Sequence, residues 1–353
     1  MNALPQGLPD APARRARRVD PFPAFKVDEI KGRRVRQVVQ RLLTGISVIG
    51  GVPNAGKSAV AVHLAAHIAD GREVFGRKVR QGPVLYVAPE APASIIGRIE
   101  ATQRAHFGGR QLPVYVVQEV PRLGSETDGA YDVERLLETV NDVRARESAD
   151  VVAIFLDTLA ASLGGGDENG AGMIQLVSCA RALHERTGAT VVIIHHPSKA
   201  TAEQLRGHTS LTGAADAIVF ITNEAGGIRT AKVAKARDFE AGSELHYSLD
   251  VVPLPEPDEF GDPTTTVIVR PADAPAPAAR TYDGPNQKVA LTAFREWART
   301  HDAQGITSTE CREMLKAAGL SNKRRPEALQ YLVTIGVLTP AVGGYTVIRG
   351  MLQ

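Results

Sequence analysis

Residues 51–58 read Gly51-Val52-Pro53-Asn54-Ala55-Gly56-Lys57-Ser58, which fits the phosphate-loop spacing G-x-x-x-x-G-K-[ST]. The glycines let backbone N–H groups turn inward on a polyphosphate, and the start of the next helix adds its dipole. The span Gly51 to Ala59 is therefore the expected nucleotide cradle. Lys57 would reach the β- and γ-phosphates, and the Ser58 hydroxyl would hold Mg²⁺.

Hydrolysis needs further groups, and three strand ends offer them. Val151 to Asp157 is an apolar run ending in a carboxylate. Asp157 at such an edge can hold the magnesium ion with Ser58, directly or through its water; alternatively it caps the next helix. The run Pro83 to Pro89 is followed by Glu90. That strand is expected beside the phosphate-loop strand, which would let Glu90 act as general base on the attacking water. The run Ala189 to Ile194 ends in His195-His196. A polar side chain there can sense the γ-phosphate, and His195 is preferred because it continues the strand. Paired histidines also suggest metal, but no third ligand has suitable spacing.

These groups need a sheet to place them. From about 26 to 270, β-branched runs alternate with helical ones, the pattern of an α/β fold with a mostly parallel sheet. Strands are expected at 46–50, 83–88, 114–117, 151–156, 190–195 and 217–222. Helices are expected at 57–70, 92–106, 131–146 and 171–187, with further antiparallel strands over 228–270. Residues 1–25 read as a disordered basic tail carrying Arg14-Arg15-Ala16-Arg17-Arg18, and 271–285 as a Pro/Ala linker.

Over 286–353 the pattern changes. Val289, Ala293, Phe294 and Trp297 recur at helical spacing, as do Cys311, Met314, Leu315 and Ala318, then Leu329, Leu332 and Val333. Ser308 or Thr309 and Ser321 are candidate N-caps, and Gly319 a helix stop. Two short β runs flank Gly343-Gly344, the expected hairpin turn. Three helices and a hairpin predict a winged helix-turn-helix domain. Lys323, Arg324 and Arg325 open its third helix, where such folds meet DNA.

A hydrophobic fraction of 43% against 23% charged residues allows a full core. No apolar run approaches the roughly 20 residues of a membrane helix, and no signal peptide is evident. Cys179 and Cys311 lie far apart on apolar helical faces and read as buried thiols, so a cytoplasmic setting is expected. The net charge of +2 conceals +5 over residues 1–40 and +4 over 286–353, with −7 between them. A polyanion, if bound, would meet the basic ends.

Taken as a set, four segments carry a family resemblance: Gly51 to Ser58, Val84 to Glu90, Leu156 to Ala160 with Gly164 to Asn169, and Val191 to His196. Together they resemble the RepA-like branch of the RecA/DnaB-type ATPases, to which plasmid- and phage-encoded hexameric helicases belong. The likeness spans about residues 26–250. It implies a homo-oligomeric ring, a hexamer, with ATP between neighbours and basic fingers supplied in trans. Lys235-Ala236-Arg237 resembles the Lys-x-Arg finger of that group, with Arg206 as the rival. The loop from Pro197 to Ser210, with Lys199 and Arg206, would face a central channel and grip single-stranded DNA. The loop from Gly164 to Asn169 is acidic and a poor surface for phosphate. The resemblance implies a DNA motor of replicative-helicase type. A recombinase or helicase loader without unwinding, and a nucleotide-switched DNA-binding regulator, stay open beside it. A primase or replication initiator would come from another chain, and no membrane partner is expected.

Overall fold

The computed structural model describes residues 24–26, 29, 35–196, 205–274, 284–301 and 305–348. The basic cluster at 14–18, Lys199 and most of the expected linker lie outside them. The chain divides into two compact units, Met1–Asp273 and Ala274–Gln353.

In the first unit, β1 (Gln37–Val39) and β2 (Leu43–Thr44) form a small antiparallel pair. β3 (Ile46–Gly51) leads through the phosphate-loop motif into α1 (Lys57–Asp70). Then come β4 (Val84–Val87), α2 (Pro92–Phe107), β5 (Val114–Val117), α3 (Gly129–Glu147) and β6 (Ala153–Asp157). The short α4 (Leu159–Ser162), α5 (Ala171–Thr187), β7 (Thr190–His195), α6 (Ser210–Ala214) and β8 (Ala217–Asn223) follow. β9 (Arg229–Ala236), β10 (Glu244–Pro253) and β11 (Thr265–Pro271) complete the unit.

The main sheet has nine strands in the order β11-β10-β9-β8-β3-β7-β6-β4-β5. The six from β8 to β5 are parallel, and β9 to β11 add an antiparallel wing. This is the α/β class, a large mostly parallel sheet that fits a RecA-like P-loop core. Successive side chains point to opposite faces, and both faces are covered, which is why the strands are continuous apolar runs. Ile49, Tyr86, Phe155, Val192 and Ile194 pack with α1 in one core. Val48, Leu85, Ile154, Leu156 and Ile193 pack with Leu136 of α3 and Leu176 of α5 in the other.

One expected neighbour relation is overturned. β4 does not lie beside β3; it pairs with β6, through Tyr86↔Phe155 and Val87↔Leu156. β3 is flanked by β7 and β8. Glu90 therefore approaches the site from the side of Asp157, not from beside the phosphate loop.

Three histidines cluster between α1 and α2. His63 and His67, one turn apart, meet His106 near the end of α2, with ring centroids 4.4 Å and 5.1 Å from His63. Neither ring nitrogen of His63 has a partner. Burial pushes all three pKa values down; the neighbouring rings push His63 further, and the charges of Arg72 and Arg270 add to the shift at His106. The folded state thus keeps these rings neutral, while the unfolded chain binds protons near the ordinary histidine value. Stability is complete above that value and falls as pH drops below it, by about 1.4 kcal/mol per pH unit for each ring still neutral. Protection factors of α1 amides, each rate taken against the intrinsic rate at the same pH, are expected to fall between about pH 7 and 5.5. His63→Leu is expected to flatten that dependence, and an unchanged slope would assign it to other groups.

The second unit contains α7 (Pro285–Thr300), β12 (Gly305–Thr307), α8 (Ser308–Ala317), α9 (Arg325–Thr334), β13 (Leu338–Ala341) and β14 (Gly344–Val347). Phe294, Cys311, Leu315, Leu332 and Leu338 form its core. Thr307, not Ser308 or Thr309, caps α8, in a capping box with Glu310. Ser321 heads a turn and Arg324 stands at the N-cap of α9. The hairpin tip is Val342-Gly343 rather than Gly343-Gly344, since Ala341 pairs with Gly344. Gly344 is needed inside the strand, because a Cβ there would lie 2.2 Å from the Ile306 carbonyl oxygen of β12.

Candidate functional site

Parallel β3, β4, β6 and β7 bring their C-terminal ends to one sheet edge, where ligands of open α/β sheets bind. That edge collects the 51–58 loop, Glu90, Asp157 and the two histidines. The loop reverses tightly into α1, with Asn54 at φ 62° and Gly56 at φ 85°. A Cβ on Gly51 would stand 2.8 Å from the Ile221 carbonyl oxygen, and one on Gly56 would stand 2.9 Å from Leu249. Glycine is required at Gly51 by that backbone carbonyl and at Gly56 by its left-handed φ.

Lys57 folds back over this loop. Its Nζ donates to the carbonyl oxygens of Gly51 at 2.8 Å and Val52 at 3.0 Å. Burial pushes the Lys57 pKa down, and the charge of Asp157 works against that shift. The two carbonyls hold the ammonium ready for exchange onto a phosphate. The residues present therefore fit a nucleoside triphosphate.

Asp157, at the end of β6, is 5% exposed. Ser58 Oγ donates to its Oδ1 at 3.2 Å and the Tyr86 hydroxyl donates to its Oδ2 at 2.7 Å. Burial pushes the Asp157 carboxyl up, and the bonds from Tyr86 and Ser58 pull it back. The charge of Arg98 on α2 acts in the same direction as those bonds. A hydroxyl and a carboxylate side by side are hard oxygen donors of the kind Mg²⁺ takes alongside water and phosphate. Among the described residues no group of three or more His, Cys, Asp or Glu is arranged to hold a metal ion.

Next to Asp157, Thr158 Oγ1 donates to Glu90 Oε1 at 2.7 Å. Glu90 is thus held at the same edge by a residue that sequence reading did not single out.

The two histidines diverge. His195 is 1% exposed, and its Nε2–H donates to the Arg206 carbonyl oxygen at 2.8 Å. Glu168 Oε1 lies 3.7 Å from the same nitrogen. His196 is half-buried; burial lowers its pKa first, then the charge of Lys57, while Glu90 opposes. The charges of Lys57 and Glu90 act on His196, whereas His195 is bonded to the Arg206 carbonyl and lies near Glu168. Strand alternation separates the two, because His195 shares the face of Ile193, away from α1.

Arg206 does not stand free. It forms an ion pair with Glu168, and the His208 N–H donates to the Glu168 carbonyl oxygen at 3.0 Å. The acidic loop and the loop after β7, read separately on sequence, are tied together here.

Lys235 and Arg237 sit elsewhere. Lys235 Nζ donates to the carbonyl oxygens of Thr212 at 2.6 Å and Ala215 at 2.8 Å. Arg237 pairs with Asp216 at 3.0 Å and donates to the Gly213 carbonyl oxygen at 2.9 Å. Lys235 pairs with Ile218 near the start of β8, at the sheet edge opposite the phosphate loop.

In the second unit Lys323 and Arg324 are exposed. Arg324 pairs with Glu327 at 2.9 Å, and Arg325 Nε donates to the Leu320 carbonyl oxygen at 2.8 Å.

The family model for an AAA domain matches residues 12–202, more than half of the chain. The match includes the phosphate loop, Glu90, Asp157 and both histidines, and it ends before β8.

Proposed function

This chain belongs to the AAA domain family of P-loop ATPases, and on that premise we propose that it is an ATP-hydrolysing DNA motor of replicative-helicase type, working as a cytoplasmic ring with ATP at subunit interfaces. The observation that carries this reading is the convergence of Lys57, Ser58, Asp157 and Glu90 on one sheet edge, with Lys235 and Arg237 at the other. No described helix is long and apolar enough to cross a membrane.

In this reading Lys57 exchanges the Gly51 and Val52 carbonyls for the β- and γ-phosphates. Glu90, steadied by Thr158 at Oε1, accepts a proton from the water that attacks the γ-phosphorus, and the bond to the β–γ bridging oxygen breaks. Magnesium, when bound at Ser58 and Asp157, neutralises charge on the phosphate oxygens. His196, on which the charges of Lys57 and Glu90 act, is the γ-phosphate sensor in this reading. The second unit acts as a winged helix whose Lys323, Arg324 and Arg325 meet duplex DNA. Lys199 and the loop after β7 meet single-stranded DNA inside a hexamer. A primase or initiator is supplied by another chain.

The Arg206–Glu168 pair favours a second reading, because it leaves Arg206 neutralised where a motor grips its strand. That reading is a recombinase or loader that hydrolyses ATP without unwinding. One experiment separates them: ATP turnover with and without single-stranded DNA, on protein whose mass is read with and without ATP–Mg²⁺. A ring of about six subunits with DNA-stimulated turnover supports the motor. Turnover without stimulation points to the loader, and a dimer preferring duplex to a nucleotide-switched regulator.

A further inference from the structure

Tyr86 lies on β4, between β6 and the edge strand β5, with no exposed surface. A phenylalanine would fill the same space without a hydroxyl to satisfy, so a buried tyrosine implies a partner for its O–H. That partner is Asp157 Oδ2, at 2.7 Å.

The approach is set by the sheet. Tyr86 and Phe155 are directly paired across β4 and β6, and their rings stack at 5.4 Å with 7° between planes. Phe155 and Asp157 are two residues apart on one strand and share a face. The stack fixes the phenol laterally, and the hydroxyl reaches along β6 to the carboxylate. Ser58 occupies the other oxygen, Oδ1. Two donors on two different oxygens fix the plane of the carboxylate as well as its position.

We propose that Tyr86 is a positioning residue for the magnesium–nucleotide complex: its hydroxyl holds Oδ2 of Asp157 so that Oδ1 faces Ser58 and the ligand. This rests on the reading of Asp157 as the magnesium-side carboxylate. Tyr86 touches neither the nucleotide nor the ion; it acts through Asp157, as partners behind metal ligands do. The neighbouring Thr158–Glu90 bond repeats the arrangement, with a neutral hydroxyl holding one oxygen of a carboxylate.

The test compares Tyr86→Phe, Asp157→Asn and the double variant in the full chain. Binding of Mn²⁺ to the ADP complex is read by electron paramagnetic resonance, and ADP binding is read separately in EDTA. Tyr86→Phe is expected to weaken Mn²⁺ binding about tenfold or more and to leave metal-free ADP binding unchanged. In the Asp157→Asn background it is expected to add nothing, because the two groups act as one unit. Mn²⁺ affinity unchanged in Tyr86→Phe, equal losses with and without metal, or the same loss in the Asp157→Asn background would each overturn the proposal. An Asp157→Asn variant that keeps full Mn²⁺ affinity overturns the assignment of Asp157 itself, and the proposal with it. Should Tyr86→Phe fail to fold, 3-fluorotyrosine at position 86 keeps the hydroxyl and gives a fluorine resonance. That resonance is expected to move when Mg²⁺ is added to the ADP complex and to stay fixed in Asp157→Asn; a resonance that ignores Mg²⁺ overturns the proposal.

Discussion

Glu90→Gln is expected to lower single-turnover ATP hydrolysis by about a hundredfold to ten-thousandfold, the usual share of a general base, while nucleotide still binds. The amide has the shape of the carboxylate, and its oxygen can accept the Thr158 hydroxyl that now bonds Glu90 at 2.7 Å. It cannot take a proton from water. The groups expected to hold phosphate, Lys57 and the loop carrying Gly51 and Gly56, are untouched. Binding of a fluorescent nucleotide and the rate of one turnover, measured on the same preparation, separate the two effects. Retained turnover would move the base elsewhere, and His196, which feels the charges of Lys57 and Glu90, is the alternative. Burial and Lys57 keep that imidazole neutral, so it can accept a proton at pH 7. His196→Ala would then show the larger loss.

Much of this site follows from local pattern. The strands ending in Gly51, Asp157 and His195 are continuous apolar runs because helices cover both faces of the sheet. The helix after the phosphate loop is alanine-rich, and almost every residue of α1 is buried. The order of the strands was not legible. It is fixed by pairings between distant segments, Gly50 with His195 and Tyr86 with Phe155, and no local periodicity records them. Hence Glu90 was expected beside the phosphate loop when it stands beside Asp157. Choosing between His195 and His196 needed one further fact, which sheet face α1 covers. Once Val192 and Ile194 are known to pack under α1, alternation turns His195 to the other side. The same alternation puts Tyr86 and Phe155 on the α1 face, so the hydroxyl in Val84 to Glu90 was a readable signal for a partner of Asp157. The Arg206–Glu168 pair joins residues 38 apart, and composition alone separated them into a basic loop and an acidic one.

Arg237→Ala is expected to lower turnover by about a thousandfold to a hundred-thousandfold, the range for a finger supplied by a neighbouring subunit, and a second variant is expected to restore part of it. The Arg237 N–H bonds to the Asp216 carbonyl oxygen, and the Asp216 N–H to that of Ile46. Arg237 is therefore level with the start of β3, and Gly51 is five residues further on. At about 3.3 Å per residue and 4.8 Å per strand, that is about 16 Å along the sheet and about 10 Å across it. An arginine side chain cannot cover that separation within its own subunit. If it meets a γ-phosphate, the phosphate belongs to a neighbour. Arg237→Ala subunits keep an intact Glu90 and phosphate loop, while Glu90→Gln subunits keep an intact Arg237. Mixed rings contain interfaces where the second kind supplies the finger to the first, so mixing two inactive proteins is expected to recover turnover. The competing account is a local tie, since Arg237 also holds Asp216 and the Gly213 carbonyl. The Arg237 side chain is half exposed, so its loss should cost about 1 kcal/mol or less, visible as a small fall in melting temperature. A local tie predicts that fall with no recovery on mixing. An arginine finger predicts recovery whatever the melting temperature does, and failure to recover in rings shown to be mixed would return Arg237 to a structural role.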